Sequence, residues 1–174
     1  MRTASQLSGL AVVSATAGER LGRIHDVFFE PESGRITGFA VHTGSGGVFA
    51  RPQLLPRLLV RSLGADAVIV EGGAVLEEIA SEPPVSGSIG ARSIDDRPVL
   101  DDTGKVLGKV ADVLVDEATL TVHAFLLATG FLDNMFHGKP QLPLEIVKAI
   151  GPHSVVVPAS YDPKTATPQP GAGG

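Results

Sequence analysis

Two aspartates are the side chains of this sequence whose placement could support acid–base chemistry. Asp26 and Asp112 lie inside predicted strands, and strict alternation places each carboxylate on the same face as its apolar neighbours. A carboxylate buried among apolar side chains is one form of general base. The alternative is that a bulge turns each aspartate outward, or that it accepts hydrogen bonds from turn amides. The two residues occupy equivalent positions of a sequence repeat, which favours the structural role over the catalytic one.

The histidines and the acidic residues near position 100 do not form a metal-binding motif. The five histidines are His25, His42, His123, His137 and His153. None has H-x-x-H or H-E-x-x-H spacing, which leaves a zinc site assembled across strands as the alternative. The acidic group of Asp95, Asp96, Asp101 and Asp102 lacks the residue order of a calcium loop, and Asp-Asp-Thr-Gly is typical of turns. The sequence therefore predicts no bound metal.

The remaining catalytic and cofactor motifs are also missing. Residues 43–47, Thr-Gly-Ser-Gly-Gly, follow a predicted strand but lack the Lys-Ser/Thr pair and the helix of a phosphate loop, so we predict a hairpin loop. The sequence has no G-x-S-x-G elbow and no cysteine, which excludes a thiolate nucleophile and disulfides. We predict a protein that is not an enzyme, with no catalytic residue and no cofactor.

The charge balance bears on the class of partner. The chain has 174 residues and a formal net charge of −5, and both halves are acidic. Direct binding to nucleic acid is not expected, because neither half has a basic surface. No apolar run approaches the roughly 18 residues of a membrane span. Residues 10–17 resemble a weak signal peptide, but their apolar part is short. We expect a cytoplasmic protein that reaches the membrane only through a partner.

An internal duplication organises the chain. The pattern G-x-x-L-G-[RK]-[IV]-x-D-V begins at residue 18 and again at residue 104, an offset of 86. Its fixed positions are Gly18, Leu21, Gly22 and Asp26 in the first copy and Gly104, Leu107, Gly108 and Asp112 in the second. The match continues from Phe39 to Phe125 and, after one inserted residue, from Pro56 to Pro143. So many ordered matches indicate two repeats.

Each repeat reads as a series of short strands separated by turns. The first copy gives strands near 10–13, 21–29, 35–42, 48–54 and 67–70, and the second near 97–100, 107–115, 120–128, 141–144 and 154–157. Residues 58–63 and 145–150 are predicted to form single helical turns. Five short strands bury one core when they close into a small barrel. We predict an all-β chain of two tandem barrels, with repeat 1 at 1–73, a helical segment and linker at 74–88, repeat 2 at 89–161, and a disordered Pro/Gly-rich tail at 162–174.

These features resemble the PRC-barrel family. They are the duplicated Gly-x-x-Leu-Gly-x-Val-x-Asp-Val pattern, a strand ending in Phe, then Leu-Pro-x-x-x-Val-x-x-Ile-Gly and Val-Val-Val. The resemblance covers roughly residues 2–71 and 89–158. The family takes its name from the cytoplasmic domain of the photosynthetic reaction-centre H subunit, and it includes the C-terminal domain of a ribosome maturation factor. The resemblance implies two small β-barrels that dock onto protein partners, without a shared active-site signature.

One loop stands out as a candidate partner site. Where repeat 1 has a glycine-rich loop after residue 44, repeat 2 has Phe131, Leu132, Met135 and Phe136. Apolar residues in a surface loop commonly mark an interface, although they could instead cover their own barrel or fill the groove between barrels. We predict a protein-binding or scaffolding module that docks onto a larger complex or a membrane-protein partner, or self-associates. A ribosome-assembly factor and a small-ligand binder that uses an inter-barrel pocket are the alternatives.

Overall fold

The computed structural model describes residues 1–44, 51–79, 83, 85–130 and 138–166. Repeat 1 contains β1 (Arg2–Thr3), α1 (Ala4–Leu7), β2 (Ala11–Ser14), β3 (Arg20–Phe29), β4 (Ile36–His42), β5 (Gln53–Pro56), β6 (Val60–Leu63), β7 (Ala67–Val70) and β8 (Glu77–Glu78). Repeat 2 contains β9 (Ile89–Gly90), β10 (Pro98–Asp101), β11 (Val106–Asp116), β12 (Thr121–Ala128), β13 (Gln141–Pro143), β14 (Ala149–Ile150) and β15 (Val155–Val157). Single 3-10 turns occupy Arg57–Leu59, Ala91–Ile94 and Leu144–Ile146.

The two repeats build curled sheets of matching strand order. The first sheet runs β6-β7-β2-β3-β4-β5-β8, and the second runs β14-β15-β10-β11-β12-β13. Each sheet contains one parallel pair at an equivalent place, β2 with β7 in the first sheet and β10 with β15 in the second. All other pairings between named strands are antiparallel. The predicted all-β chain with two repeats of one topology is confirmed.

The first segment of each repeat crosses to the other repeat. Residues 2–7, which we call the first arm, place β1 against β11 of repeat 2. Residues 89–94, the second arm, place β9 against β3 of repeat 1. The exchange is reciprocal, so the two repeats are related by a pseudo-twofold axis. Neither sheet is complete without a strand from the other repeat.

One large hydrophobic core runs through both repeats, and a smaller cluster of Phe28, Ala40, Leu54 and Ile79 forms apart from it. Leu7 in the first arm and Ile94 in the second are equivalent residues, and both are fully buried in the large core. The rings of Phe29 and Phe125 meet across the repeats, with centroids 6.3 Å apart and planes tilted by 60°. This is a favourable edge-to-face range for aromatic pairs. Because the core is shared, the repeats form one packed body.

Two equivalent turns meet where the repeats abut. The amide of Val122 donates to the Gly34 carbonyl at 2.7 Å, and that of Ile36 donates to the Leu120 carbonyl at 3.1 Å. Both turn residues have positive φ, 69° for Gly34 and 53° for Leu120. A Cβ on Gly34 would lie 2.5 Å from the Val122 carbonyl oxygen. Repeat 1 therefore needs glycine at this turn, whereas repeat 2 holds a leucine in the left-handed region.

Residues 74–79 do not form the predicted short helix. Glu77–Glu78 is a strand, β8, paired with β5. Side-chain burial alternates over residues 74–76: Ala74 and Leu76 pack against the core, whereas Val75 is 75% exposed. Such alternation is the period of a strand, and the outer side of β5 supplies the pairing groups. The apolar spacing in this short segment is compatible with either structure, which is why the helical interpretation was wrong.

The other local predictions need smaller adjustments. The predicted helical turns at 58–63 and 145–150 are the 3-10 turns Arg57–Leu59 and Leu144–Ile146, each followed by a strand. Residues 162–166, at the start of the segment predicted to be disordered, form a turn in which the Ala166 amide donates to the Asp162 carbonyl at 3.2 Å. Among the described residues, no helix is long and apolar enough to cross a membrane.

Candidate functional site

Asp26 and Asp112 lie at equivalent bulges of β3 and β11. The pairing of β3 with β4 shifts between Ile24 and Asp26, and the pairing of β11 with β12 shifts between Val110 and Asp112. Each bulge breaks the strict alternation, so each carboxylate is half-buried instead of sharing the core face. Each aspartate also accepts a 2.8 Å hydrogen bond from the amide of the following valine.

Each of these carboxylates also holds the arm of the other repeat. Asp112 accepts hydrogen bonds from the amide of Ser5, at 3.2 Å, and from the Ser5 hydroxyl. Asp26 accepts a 3.1 Å bond from the amide of Arg92. Ser5 and Arg92 are equivalent positions in the two arms. The duplicated aspartate therefore fastens the exchanged arms, which explains why both copies of the motif carry it.

A groove of about 420 Å³ lies between these two contacts, on the pseudo-twofold axis. Its polar lining comes from His25, Asp26, Arg92, Asp95 and Asp112, together with serines of the first arm. The His25 and His42 rings are in contact, with centroids 4.3 Å apart, and the Arg92 guanidinium donates to the His25 carbonyl at 3.2 Å. Asp26 and Asp112 already accept hydrogen bonds from the backbone of the opposite arm, so these two carboxylates stabilise the repeat interface.

The acidic residues near position 100 are separated by their own partners. Asp96 pairs with Lys109 at 2.9 Å, and Asp102 pairs with Lys148 at 2.5 Å. Asp101 accepts bonds from the Thr103 hydroxyl at 2.6 Å and from the Lys105 amide at 3.0 Å. Within the ranges that the structure describes, no three His, Cys, Asp or Glu side chains converge to hold a metal.

These contacts lower the pKa of two carboxyls. The Thr103 hydroxyl and then the Lys105 amide lower the pKa of Asp101. The hydrogen bond from Lys148 and then the Ala159 amide lower the pKa of Asp102. Because the folded-state pKa values are lowered, the stability from these bonds is present above the unfolded aspartate pKa of about 3.9. It is lost as the pH falls through the lower folded-state values.

The glycines of the repeated motif serve a close approach between strands. A Cβ on Gly22 would lie 2.5 Å from the His42 carbonyl oxygen, and one on Gly108 would lie 2.6 Å from that of Ala128. Leu21 and Leu107 are half-buried and pack against the shared core. In the described chain, the remaining motif glycines, Gly18 and Gly104, lie in turns with positive φ.

The predicted partner loop lies outside the described residues. Phe131, Leu132, Met135 and Phe136 all belong to the gap at 131–137. The glycine-rich loop after Gly44 continues into the corresponding gap at 45–50. The role of these four residues as a partner site therefore stays a prediction.

The outer edges of β5 and β13 are equivalent, but they are covered differently. In repeat 1 the outer side of β5 pairs with β8, with Leu54 opposite Glu77. In repeat 2 the residue equivalent to Leu54 is Gln141, and its carbonyl accepts a 3.1 Å hydrogen bond from the Tyr161 hydroxyl. No other described strand pairs with this side of β13. A side-chain hydroxyl thus stands where repeat 1 has a strand.

A second groove, of about 400 Å³, runs beside this edge. Its lining includes Pro143, Ile146, Pro158 and Tyr161, and it extends to Thr165 and Ala166. Burial raises the pKa of Tyr161 to about 12, with a smaller contribution from the charge of Asp162. Sequence reasoning missed this groove. A signal for it was present in the sequence. Residues 54 and 141 are equivalent, but Asp162-Pro163 interrupts repeat 2 where repeat 1 continues into β8.

The arrangement defines a class of protein: a tandem pair of interlocked small β-barrel repeats whose duplicated carboxylates hold the fold together. The model of the PRC-barrel domain matches the chain twice, over residues 1–77 and 86–162. The chain belongs to the PRC-barrel domain family, in two tandem copies, as the resemblance implied. The domains of this family are generally non-catalytic. A search of curated proteins found no match to the chain.

Proposed function

We propose that this protein is a non-enzymatic docking module that binds a protein partner within a larger complex. The role of Asp26 and Asp112 supports the absence of catalysis, since these carboxylates accept hydrogen bonds from the arms. The family supports it as well, because its domains are generally non-catalytic. In this proposal the protein acts in the cytoplasm, does not bind nucleic acid directly, and reaches the membrane only through its partner.

The observation that carries docking is the divergence of one pair of loops. Both loops join equivalent strands, β4 to β5 and β12 to β13. The first is rich in glycine, whereas the second carries Phe131, Leu132, Met135 and Phe136. Phenylalanine and methionine are enriched at the cores of protein interfaces, where they supply large apolar contact areas. A second copy of the chain is the other partner that such a loop would serve.

Paired loop variants test this proposal. In the full chain, Leu132→Ser with Met135→Ser should abolish capture of the partner from an extract of the native cell, while the melting temperature holds. The matched control is Val48→Ser with Phe49→Ser, which makes the same kind of change in the repeat 1 loop and should leave capture intact. Sedimentation of the purified chain separates self-association from a foreign partner. A loss of several kcal/mol of stability in the repeat 2 variant would show that the loop covers its own barrel, and would contradict docking.

A further inference from the structure

The backbone of β13 presents hydrogen-bonding groups away from its sheet. The amide of Leu127 donates to the Pro140 carbonyl at 2.9 Å, and Phe125 lies opposite Leu142. In an antiparallel pair the groups of alternate residues point to opposite sides. Pro140 and Leu142 therefore face β12, while the amide and carbonyl of Gln141 face outward. The Tyr161 hydroxyl bonded to that carbonyl marks the same outward side.

The equivalent edge in repeat 1 shows which kind of segment can pair with the outer side of β13. The equivalent outward groups of Leu54 face β8, an antiparallel extended segment with Glu77 opposite Leu54. The two repeats follow the same path up to Ala74 in repeat 1 and its equivalent, Tyr161, in repeat 2. Each of these residues closes a turn: the Ala74 amide donates to the Glu71 carbonyl, and the Tyr161 amide donates to the Pro158 carbonyl. Beyond this point repeat 1 extends into β8, whereas Asp162 begins a turn in repeat 2.

We propose that an extended segment of a partner protein adds to the outer edge of β13, antiparallel to it, as β8 adds to β5. This inference rests on the proposed docking function and names the chemistry of the partner. The residue opposite Gln141 donates its amide to the Gln141 carbonyl and accepts from the Gln141 amide, and the Tyr161 hydroxyl is displaced. Addition of a strand to a free edge draws its affinity from such main-chain bonds.

The groove beside the edge sets the side-chain preference of the segment. Pro143, Ile146, Pro158 and the Tyr161 ring offer an apolar surface next to the strand. Side chains of an added strand point alternately to its two faces. We therefore expect a segment with apolar residues at every second position and no proline opposite Gln141, because a proline there lacks the amide that the Gln141 carbonyl needs.

The test uses peptides selected from an unbiased displayed library on the full chain. Gln141→Pro removes the outward amide and keeps Leu142, which faces β12, whereas Gln141→Ala keeps the amide and serves as the matched control. Loss of one main-chain bond should weaken peptide binding roughly fivefold or more in the proline variant alone. Tyr161→Phe frees the Gln141 carbonyl without altering the backbone, and should strengthen binding about two- to fivefold. Circular dichroism of each variant establishes that it is folded.

Several results would overturn the proposal. They are the failure to select any peptide, equal binding by Gln141→Pro and the unmodified chain, and weaker binding by Tyr161→Phe. If the peptides bind only to a truncated chain that ends at Ala166, the edge is occupied by residues 167–174 of the protein itself. Self-association abolished by Gln141→Pro would show that a second copy does. Any of these results leaves the docking function standing if the Leu132 and Met135 variant still loses the partner, so the two proposals fail separately.

Discussion

The two repeats agree where they hold each other and differ where they face outward. Both exchange an arm, both fasten the opposite arm with a bulged aspartate, and both bury an equivalent aliphatic residue, Leu7 or Ile94, in the shared core. They differ in the loop before β5 or β13 and in the cover of that strand's outer edge. The duplicated features maintain the pseudo-twofold interface, and it is at the divergent ones that we propose binding.

The place where the repeats abut shows a smaller divergence. Leu144 packs beside the Gly34 turn of repeat 1. Its equivalent, Arg57, lies beside the Leu120 turn and donates to the Thr119 carbonyl at 3.2 Å. The Nε of Arg57 is buried and has no hydrogen-bond partner among the described residues. Repeat 1 thus carries a polar group where repeat 2 has an aliphatic one.

The comparison is tested most strongly by shortening the two arm residues. Leu7→Ala and Ile94→Ala should each lower the free energy of unfolding by about 2–5 kcal/mol, because each removes a fully buried aliphatic side chain from the same core. Urea unfolding followed by circular dichroism measures both, with the 88% exposed Leu58→Ala as the control, which should change little. A large cost at one arm with none at the other would break the pseudo-symmetry.

Substituting the two aspartates should have the next largest effect. Asp26→Asn and Asp112→Asn should each cost about 1–3 kcal/mol, because each weakens charge-assisted bonds that hold the opposite arm. Chemical unfolding is the measurement, and the exposed Asp66→Asn is the control of equal charge change. Unaltered stability combined with loss of the cellular function would favour a binding or catalytic role for these carboxylates instead.

The sequence was sufficient to predict the repeats but not their interlocking. The motif from Gly18 to Asp26 recurs with its spacing intact, which predicted the two repeats and their strands, with a bulge at the aspartate among the alternatives. The partners of Asp26 and Asp112 were not, because Arg92 and Ser5 are distant in the chain and their contact depends on the exchange of arms. Exchange leaves no local pattern in the sequence.

The candidate docking edge was out of reach for a related reason. Whether Gln141 faces outward depends on the register of β13 against β12, and no residue type records that register. The helix predicted at 74–79 was wrong for the same reason. This segment forms the strand β8 because the outer edge of β5 supplies its pairing groups. Long-range pairing decided both cases over local propensity.

Replacing Arg57 by its counterpart should make repeat 1 more like repeat 2. Arg57→Leu should raise the free energy of unfolding by about 1 kcal/mol, because an aliphatic side chain removes a buried donor that lacks a partner. Thermal and urea unfolding measure the gain, and the exposed Arg61→Leu controls for the loss of charge. A loss of stability would mean that the bond to Thr119 outweighs the desolvation of Nε.

The smallest effect concerns Tyr161. Its hydroxyl covers the outer edge of β13, which is equivalent to the edge of β5 that β8 covers in repeat 1. The chain has one tyrosine and no tryptophan, so absorbance near 295 nm follows the ionisation of this residue alone. The native protein should titrate with a pKa of about 12, since burial disfavours the phenolate, whereas the urea-unfolded chain should titrate near the ordinary value of about 10. Because the folded-state value is raised, the stability from the neutral phenol is fully present below pH 10 and is lost between about pH 10 and 12. Tyr161→Phe should remove this alkaline loss and leave the unfolding free energy at pH 7 within about 1 kcal/mol, the usual contribution of one hydrogen bond. A native titration near pH 10 would mean that the hydroxyl is exposed and that Tyr161 does not cover the outer edge of β13.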